Sequence, residues 1–216
     1  MRKTQTPWLV VDLRKEQNMN FIESQFGNPH GIIGHLVGLI MAYENRARNQ
    51  WALSLLNIQP TDHILEIGFG PGWAIQQAGR LTSDGLVAGV DISKTMLKQA
   101  KLRNRHAVNF GKVILRHGTS VQIPFSDNSF DKVYAVNSFH EWQDPILGLQ
   151  NVKRVLKIGG SITIVEHPHG GVPKDTISEI GEGIKAKLNE QGFESVQVII
   201  NSIGGSLAVG VKGIKK

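Results

Sequence analysis

Five short runs rich in Val, Ile and Leu, at 63–67, 86–90, 112–115, 131–136 and 160–165, alternate with segments of helical spacing at about 73–82, 94–105, 144–157 and 175–191. Strands that are apolar at nearly every position are buried on both faces, which parallel sheets covered by helices achieve. Each intervening segment is long enough for a right-handed crossover. Two more strands, 194–200 and 206–212, are separated only by Asn201 to Gly205, too few residues for a crossover helix, so this connection is antiparallel. The spacing predicts an α/β, doubly wound sheet of seven strands, mostly parallel with one antiparallel.

Upstream, apolar residues recur at Leu36, Ile40, Tyr43, Ala47, Trp51 and Leu55, the spacing of an amphipathic helix, until Gln59-Pro60-Thr61-Asp62 stops it. Residues 1–59 therefore read as an N-terminal helical cap on one domain spanning 60–216. With 40% hydrophobic and 19% charged residues, the 216-residue chain falls outside the disordered and fibrous classes. The absence of cysteine excludes disulfide scaffolds, thiolate metal sites and cysteine nucleophiles. The apolar run Pro7 to Val11 is cut by Asp12, too short for a signal peptide, so a cytoplasmic location is expected. Gly31 to Ala42 falls short of the ~20 residues that span a bilayer, so the only membrane contact it offers is a weak surface one.

The densest signal is HILEIGFGPGW, from His63 to Trp73: a strand running into Gly68, Gly70 and Gly72, then a helix. Glycines there let the backbone approach a ligand, and the helix amino terminus favours an anionic group. A second strand, Val87 to Asp91, ends in an acid 23 positions after Gly68, near the ~20 expected of a carboxylate that grips ribose hydroxyls. The pair points to a ribonucleoside-containing cofactor. The glycine spacing departs from the Gly-x-Gly-x-x-Gly of dinucleotide sites, which weighs against an oxidoreductase.

At this motif the chain resembles the class I S-adenosylmethionine-dependent methyltransferases, particularly the small-molecule group whose first motif reads Leu-Glu-Ile-Gly-x-Gly-x-Gly. The segments from Gly118 to Phe125, Ser129 to Asp131 and Val152 to Gly160 fall where that group has its later motifs, in the same order. The resemblance implies a Rossmann-like fold over residues 60 to 213 and S-adenosylmethionine as cofactor. It implies that Gly68, Gly70 and Gly72, with Glu66 just before them, form the methionine end of the site. It further implies that Asp91 binds both ribose hydroxyls and Ile92 lies against adenine. Where the family often has an acid after the third-motif glycine, this chain has Thr119 and Ser120, whose hydroxyls or amides would meet the adenine edge.

In an open parallel sheet the carboxyl ends of the strands face the ligand crevice. The fourth strand ends in Asn137-Ser138-Phe139-His140-Glu141-Trp142 and the fifth in Glu166-His167-Pro168-His169. Asn137 is expected near the cofactor. His140 is the first candidate for a general base, at an ordinary imidazole pKa of ~6.5, and His167 is the second. A metal held by His140, His167 and His169 is the less favoured reading, so no metal is assigned. No long insertion follows the later strands, so the acceptor pocket is expected under the cap, with Tyr43, Asn45 and Arg46 as candidate substrate-binding residues.

The net charge of +6 is concentrated: from Ile92 to Ser126 there are seven Lys and Arg and no Asp or Glu. This is a solvated basic helix or a docking surface for RNA, anionic lipid or an acidic carrier protein. The reading is a methyltransferase for a small, partly apolar acceptor. Its alternatives are an RNA methyltransferase using the basic 94–116 segment and a non-catalytic cofactor-binding module. The Asn-Ser-Phe-His run at the fourth strand differs from the Asn/Asp-Pro-Pro-aromatic run of base amino-group methyltransferases, which disfavours nucleic acid.

Overall fold

The structure, a computed structural model, describes residues 46–168 and 172–216. Its elements are α1 (Arg46–Leu56), β1 (His63–Ile67), α2 (Trp73–Leu81), β2 (Leu86–Asp91), α3 (Lys94–Arg103), α4 (Arg105–Asn109) and β3 (Val113–His117). After them come β4 (Phe130–Val136), a 3₁₀ turn (Phe139–Glu141), α5 (Pro145–Val155), β5 (Leu156–Glu166), α6 (Lys174–Glu190), β6 (Phe193–Ile203) and β7 (Ser206–Lys215). The strands form one seven-stranded sheet in the order β3-β2-β1-β4-β5-β7-β6. All neighbouring pairs are parallel except β5–β7 and β6–β7, so β7 alone is reversed, as the short Asn201–Gly205 connection predicts.

Alternate residues of the central strands enter two separate cores. On one face Leu65, Ile67, Val133 and Ala135 meet Leu149 and Val152 of α5 and Ile177 and Leu188 of α6. On the other, Ile64, Val87, Tyr134 and Val136 meet Ala74, Ile75 and Ala78 of α2 and Leu53 and Leu56 of α1. Burial on both faces is the reason these strands read as continuous apolar runs. The helix at 36–55 is present from Arg46 onward, and its earlier part lies outside the described residues. α1 packs with Trp51 and Leu55 beside the core, where a Cβ on Gly210 would come within 2.7 Å of Leu55.

The helix expected at 94–105 is present as α3, ending at Arg103, and a second short helix, α4, follows it from Arg105 to Asn109. Asn104, at backbone angles outside the helix, donates from its side-chain amide to the carbonyls of Ala100 and Gly72, and so closes α3 while tying it to the glycine turn. Because β1 pairs with β2 on one side and β4 on the other, successive crossovers leave in opposite directions there. That reversal opens a crevice at the carboxyl ends of β1 and β4.

Candidate functional site

Each glycine of the turn after β1 has left-handed backbone, φ +77°, +51° and +76° at Gly68, Gly70 and Gly72. Their surroundings differ. A Cβ on Gly68 would lie 2.5 Å from Ser138 Cβ, and one on Gly72 would lie 2.6 Å from Ala100 Cβ. A Cβ on Gly70 would meet nothing within 4 Å. Two glycines thus let the protein close on itself, and the middle one presents bare backbone to open space.

Asp91 ends β2 directly across from that space. Its Oδ2 accepts from the Gly70 amide at 2.8 Å and its Oδ1 from the Ser93 amide at 2.7 Å. A carboxylate has about four lone-pair positions, so two remain for the vicinal hydroxyls of a ribose. Burial pushes the Asp91 carboxyl up to about 6, against the pull of these two amide donors. Ser93 caps α3 by accepting from Met96 N, which fixes the approach of the helix to the site.

Glu66 faces the core on the α1/α2 side. Burial drives its carboxyl up to about 8, and Tyr134 Oη donates to its Oε2 at 2.8 Å. Glu66 and Tyr134 are also register partners across β1 and β4. At neutral pH this acid is therefore protonated. It supports the strand beneath the turn and does not form part of the cavity wall.

The cavity runs from Gly68 and Gly70 past Asp91, Ile92 and Met96 to Gly118, Thr119 and Ser120, and its opposite wall holds Asn137, Ser138, Glu141, Trp142 and Gln143. Ile92 is 55% exposed, an apolar side chain poised to cover a planar ring. Asn137 adopts φ 49°, a conformation asparagine tolerates, and its Oδ1 accepts from the His167 amide at 2.8 Å, which joins the ends of β4 and β5. Ser138, Met96, Trp142 and Gln143 are wall residues that motif reading does not mark. For Trp142 the available signal was its place six residues after the strand end.

His140 lies in the 3₁₀ turn, with its imidazole more than half exposed. Glu166, buried at the end of β5, accepts from the Phe139 amide at 2.9 Å through Oε1, and its Oε2 lies 2.7 Å from His140 Nδ1. A carboxylate there selects the Nδ1–H tautomer and leaves Nε2 as the acceptor, 3.3 Å from Glu141 Oε1. The Glu166 hydrogen bond raises the His140 pKa above 6.5, with Glu141 adding to it, so the ordinary imidazole value expected from sequence is corrected upward. His140 stands beside the cavity while its chain neighbours Ser138 and Glu141 line it. His167 is buried, and its backbone amide donates to Asn137 Oδ1 on the cavity wall. Burial, with the like charge of Arg46 at the exposed start of α1 adding to it, depresses the pKa of Arg103, whose Nε donates to Pro71 O at 2.9 Å. Tyr43, Asn45 and His169 lie outside the described residues.

The fit to S-adenosylmethionine rests on three features: open space at Gly70, two spare acceptor positions on Asp91, and a buried Trp142 indole Nε1 with no hydrogen-bond partner among the described residues. When bound, this cofactor supplies an electrophilic methyl group on a sulfonium.

A family profile described as a methyltransferase domain matches residues 65–164. The chain is 35% identical over 176 residues to the "Uncharacterized methyltransferase YdaC" of Bacillus subtilis, covering 81% of this chain and 94% of that protein. It is 26% identical over 153 residues to a demethylmenaquinone methyltransferase of Bacillus cereus, covering 70% of this chain and 63% of that one. Its fold matches a SAM dependent methyltransferase from Aquifex aeolicus with a TM-score of 0.63 at 20% identity, over 78% of this chain and 89% of the other. The glycine turn, the ribose-side acid, the strand order and these relatives agree, and the chain belongs to the class I S-adenosylmethionine-dependent methyltransferases.

Proposed function

We propose that the enzyme methylates a small, partly apolar molecule whose acceptor atom carries a proton that must leave, with His140 as the base and Glu166 as its positioning residue. The observation that carries this reading is the 2.7 Å contact between a buried carboxylate and His140 Nδ1, which turns Nε2 to the side of Glu141, a residue of the cavity wall, at 3.3 Å. Methyl transfer is an in-line displacement in which alignment alone supplies up to ~7–11 kcal/mol. A positioned base adds roughly 100- to 10,000-fold where the acceptor is a hydroxyl or an acidic carbon. Nε2 takes that proton, and Glu166 holds the ring and stabilises the imidazolium. Asp91, Gly68, Gly70, Ile92, Thr119, Ser120 and Asn137 hold the cofactor. An apolar acceptor is supported by the relative named for demethylmenaquinone.

The acceptor pocket is assigned to the cap, with Tyr43, Asn45 and Arg46 toward the acceptor. Since Ala52, Leu53 and Leu56 of α1 are core residues, the cap is tested by deleting residues 1–45 only. Such a protein should bind S-adenosylhomocysteine and lose turnover; retained turnover would move the acceptor site elsewhere. The acceptor class is tested by supplying methyl-labelled S-adenosylmethionine and the enzyme to a cell extract. Label in organic-soluble or small water-soluble molecules supports the proposal, and label in RNA or protein overturns it.

A further inference from the structure

α3 and α4 share an outward face that combines charge of one sign with apolar side chains that nothing among the described residues covers. Both helices pack on the sheet: α3 buries Met96 at the cavity wall and Ala100 in the core, and α4 places Ala107 and Val108 against that same core. Lys94, Lys98, Lys101, Leu102, Arg105 and Phe110 are left facing outward. Three cations of this basic segment are engaged elsewhere, Arg103 on the Pro71 carbonyl, Lys112 on the Ser83 carbonyl, and Arg116 on the Pro124 carbonyl and over the Phe125 ring. Lys94, Lys98, Lys101 and Arg105 make no ion pair among the described residues.

A basic helix that merely keeps the protein in solution needs only the charges. Here Leu102, next to Lys101 and one turn after Lys98 on α3, is 70% exposed, and Phe110, at the end of α4, is 81% exposed. Cations and the Phe110 ring would suit a polyanion such as RNA, but Leu102 has no ring to stack on a base and gains nothing from a phosphate backbone. A bilayer surface uses both kinds of side chain: anionic headgroups meet Lys and Arg, and Leu and Phe enter the boundary beneath them.

We propose that the α3–α4 face is a peripheral docking surface for anionic lipid bilayers. α3 starts at the cavity, immediately after Asp91 and Ile92, so the docked face adjoins the cofactor cavity. Docking in this way sets the enzyme beside the phase in which an apolar acceptor would dissolve, yet the proposal stands whatever the acceptor is.

The test is cosedimentation of the full chain with phosphatidylcholine vesicles, with and without phosphatidylglycerol. Binding is expected only with phosphatidylglycerol and should weaken as salt rises. K98Q/K101Q should lower vesicle affinity by roughly fivefold per charge removed. L102S/F110S should weaken binding while leaving its salt dependence intact. Both variants should keep wild-type S-adenosylhomocysteine affinity by calorimetry, which separates lost docking from lost folding. Absence of vesicle binding, equal binding to neutral vesicles, or affinity unchanged in K98Q/K101Q overturns the proposal. So does an RNA oligonucleotide bound through Lys98 and Lys101 by a protein that ignores vesicles.

Discussion

The Glu166 carboxylate grips two successive residues of the turn after β4, the Phe139 amide through one oxygen and the His140 imidazole through the other. Because this contact raises the His140 pKa, the neutral base accumulates only as pH rises through a value above 6.5. The pH–rate profile should therefore have an acidic limb with its midpoint above 6.5. Glu166→Gln should move that limb to lower pH, and His140→Asn should erase it and slow turnover at least tenfold, within the ~100- to 10,000-fold range of base catalysis. The same ion pair stabilises the fold below pH 6.5 and stops doing so as pH rises through the folded-state value. Stopped-time assays across pH separate the shift from a general loss of activity.

In the proposed cofactor site Asp91 is to accept the ribose hydroxyls as a carboxylate, and burial pushes its carboxyl up to about 6. Affinity for S-adenosylhomocysteine should fall as pH drops through about 6. Asp91→Asn should bind weakly at all pH values and lose most of this dependence. Asp91→Ala removes two charge-assisted hydrogen bonds and should cost about 3 kcal/mol or more. Calorimetry over the pH range gives all three results.

The glycines should separate into two classes. Gly70→Ala meets open space, so its stability cost is the left-handed strain alone, about 1–2 kcal/mol, while cofactor affinity falls further because the methyl enters the ligand's space. Gly68→Ala collides with Ser138 as well, and should lower the melting temperature more than Gly70→Ala does. Adding Ser138→Gly to Gly68→Ala should restore the steric part of the loss. Thermal melts of the four proteins measure it.

Trp142 lines the cavity, packs its ring against Phe139 at a centroid distance of 4.9 Å and lies over Gly148, while its buried indole N–H has no hydrogen-bond partner among the described residues. Trp142→Phe retains the aromatic packing and removes the donor. S-adenosylhomocysteine affinity should fall about five- to tenfold, the worth of roughly 1 kcal/mol. The melting temperature should change little.

Glu66 keeps a proton in the folded state up to about pH 8, whereas an ordinary carboxyl releases it near 4.5. Its contribution to stability is thus complete below 4.5 and drains away as pH climbs to about 8. Glu66→Gln is a neutral mimic and should flatten that decline in urea unfolding. Tyr134→Phe leaves the buried acid without its hydroxyl donor and should destabilise by about 1–3 kcal/mol at neutral pH.

The strands were legible because two-sided burial writes itself as unbroken Val/Ile/Leu runs, and the reversed β7 was legible from the five-residue gap before it. Asp91 was legible because a local spacing carries it. The pairs that tune the site were not. Glu66 meets Tyr134 across 68 positions and His140 meets Glu166 across 26, through strand register and a turn that no local pattern encodes. The break at Asn104 escaped for a similar reason: its amide is drawn off the helix by the carbonyl of Gly72, 32 positions away.

The position of β7 imposes an order of events on the newborn chain. β6 is synthesised before β7, yet β7 lies between it and β5, so β6 has no partner in the sheet while it emerges. Strands β1 to β5 pair among themselves, and α6 and β6 must wait for the segment from Ser206 to Lys215 to slot in and bond on both sides. During that interval the free edge of β5 and the half-apolar β6 are both open to wrong partners, so the fold is most vulnerable to aggregation just before β7 arrives.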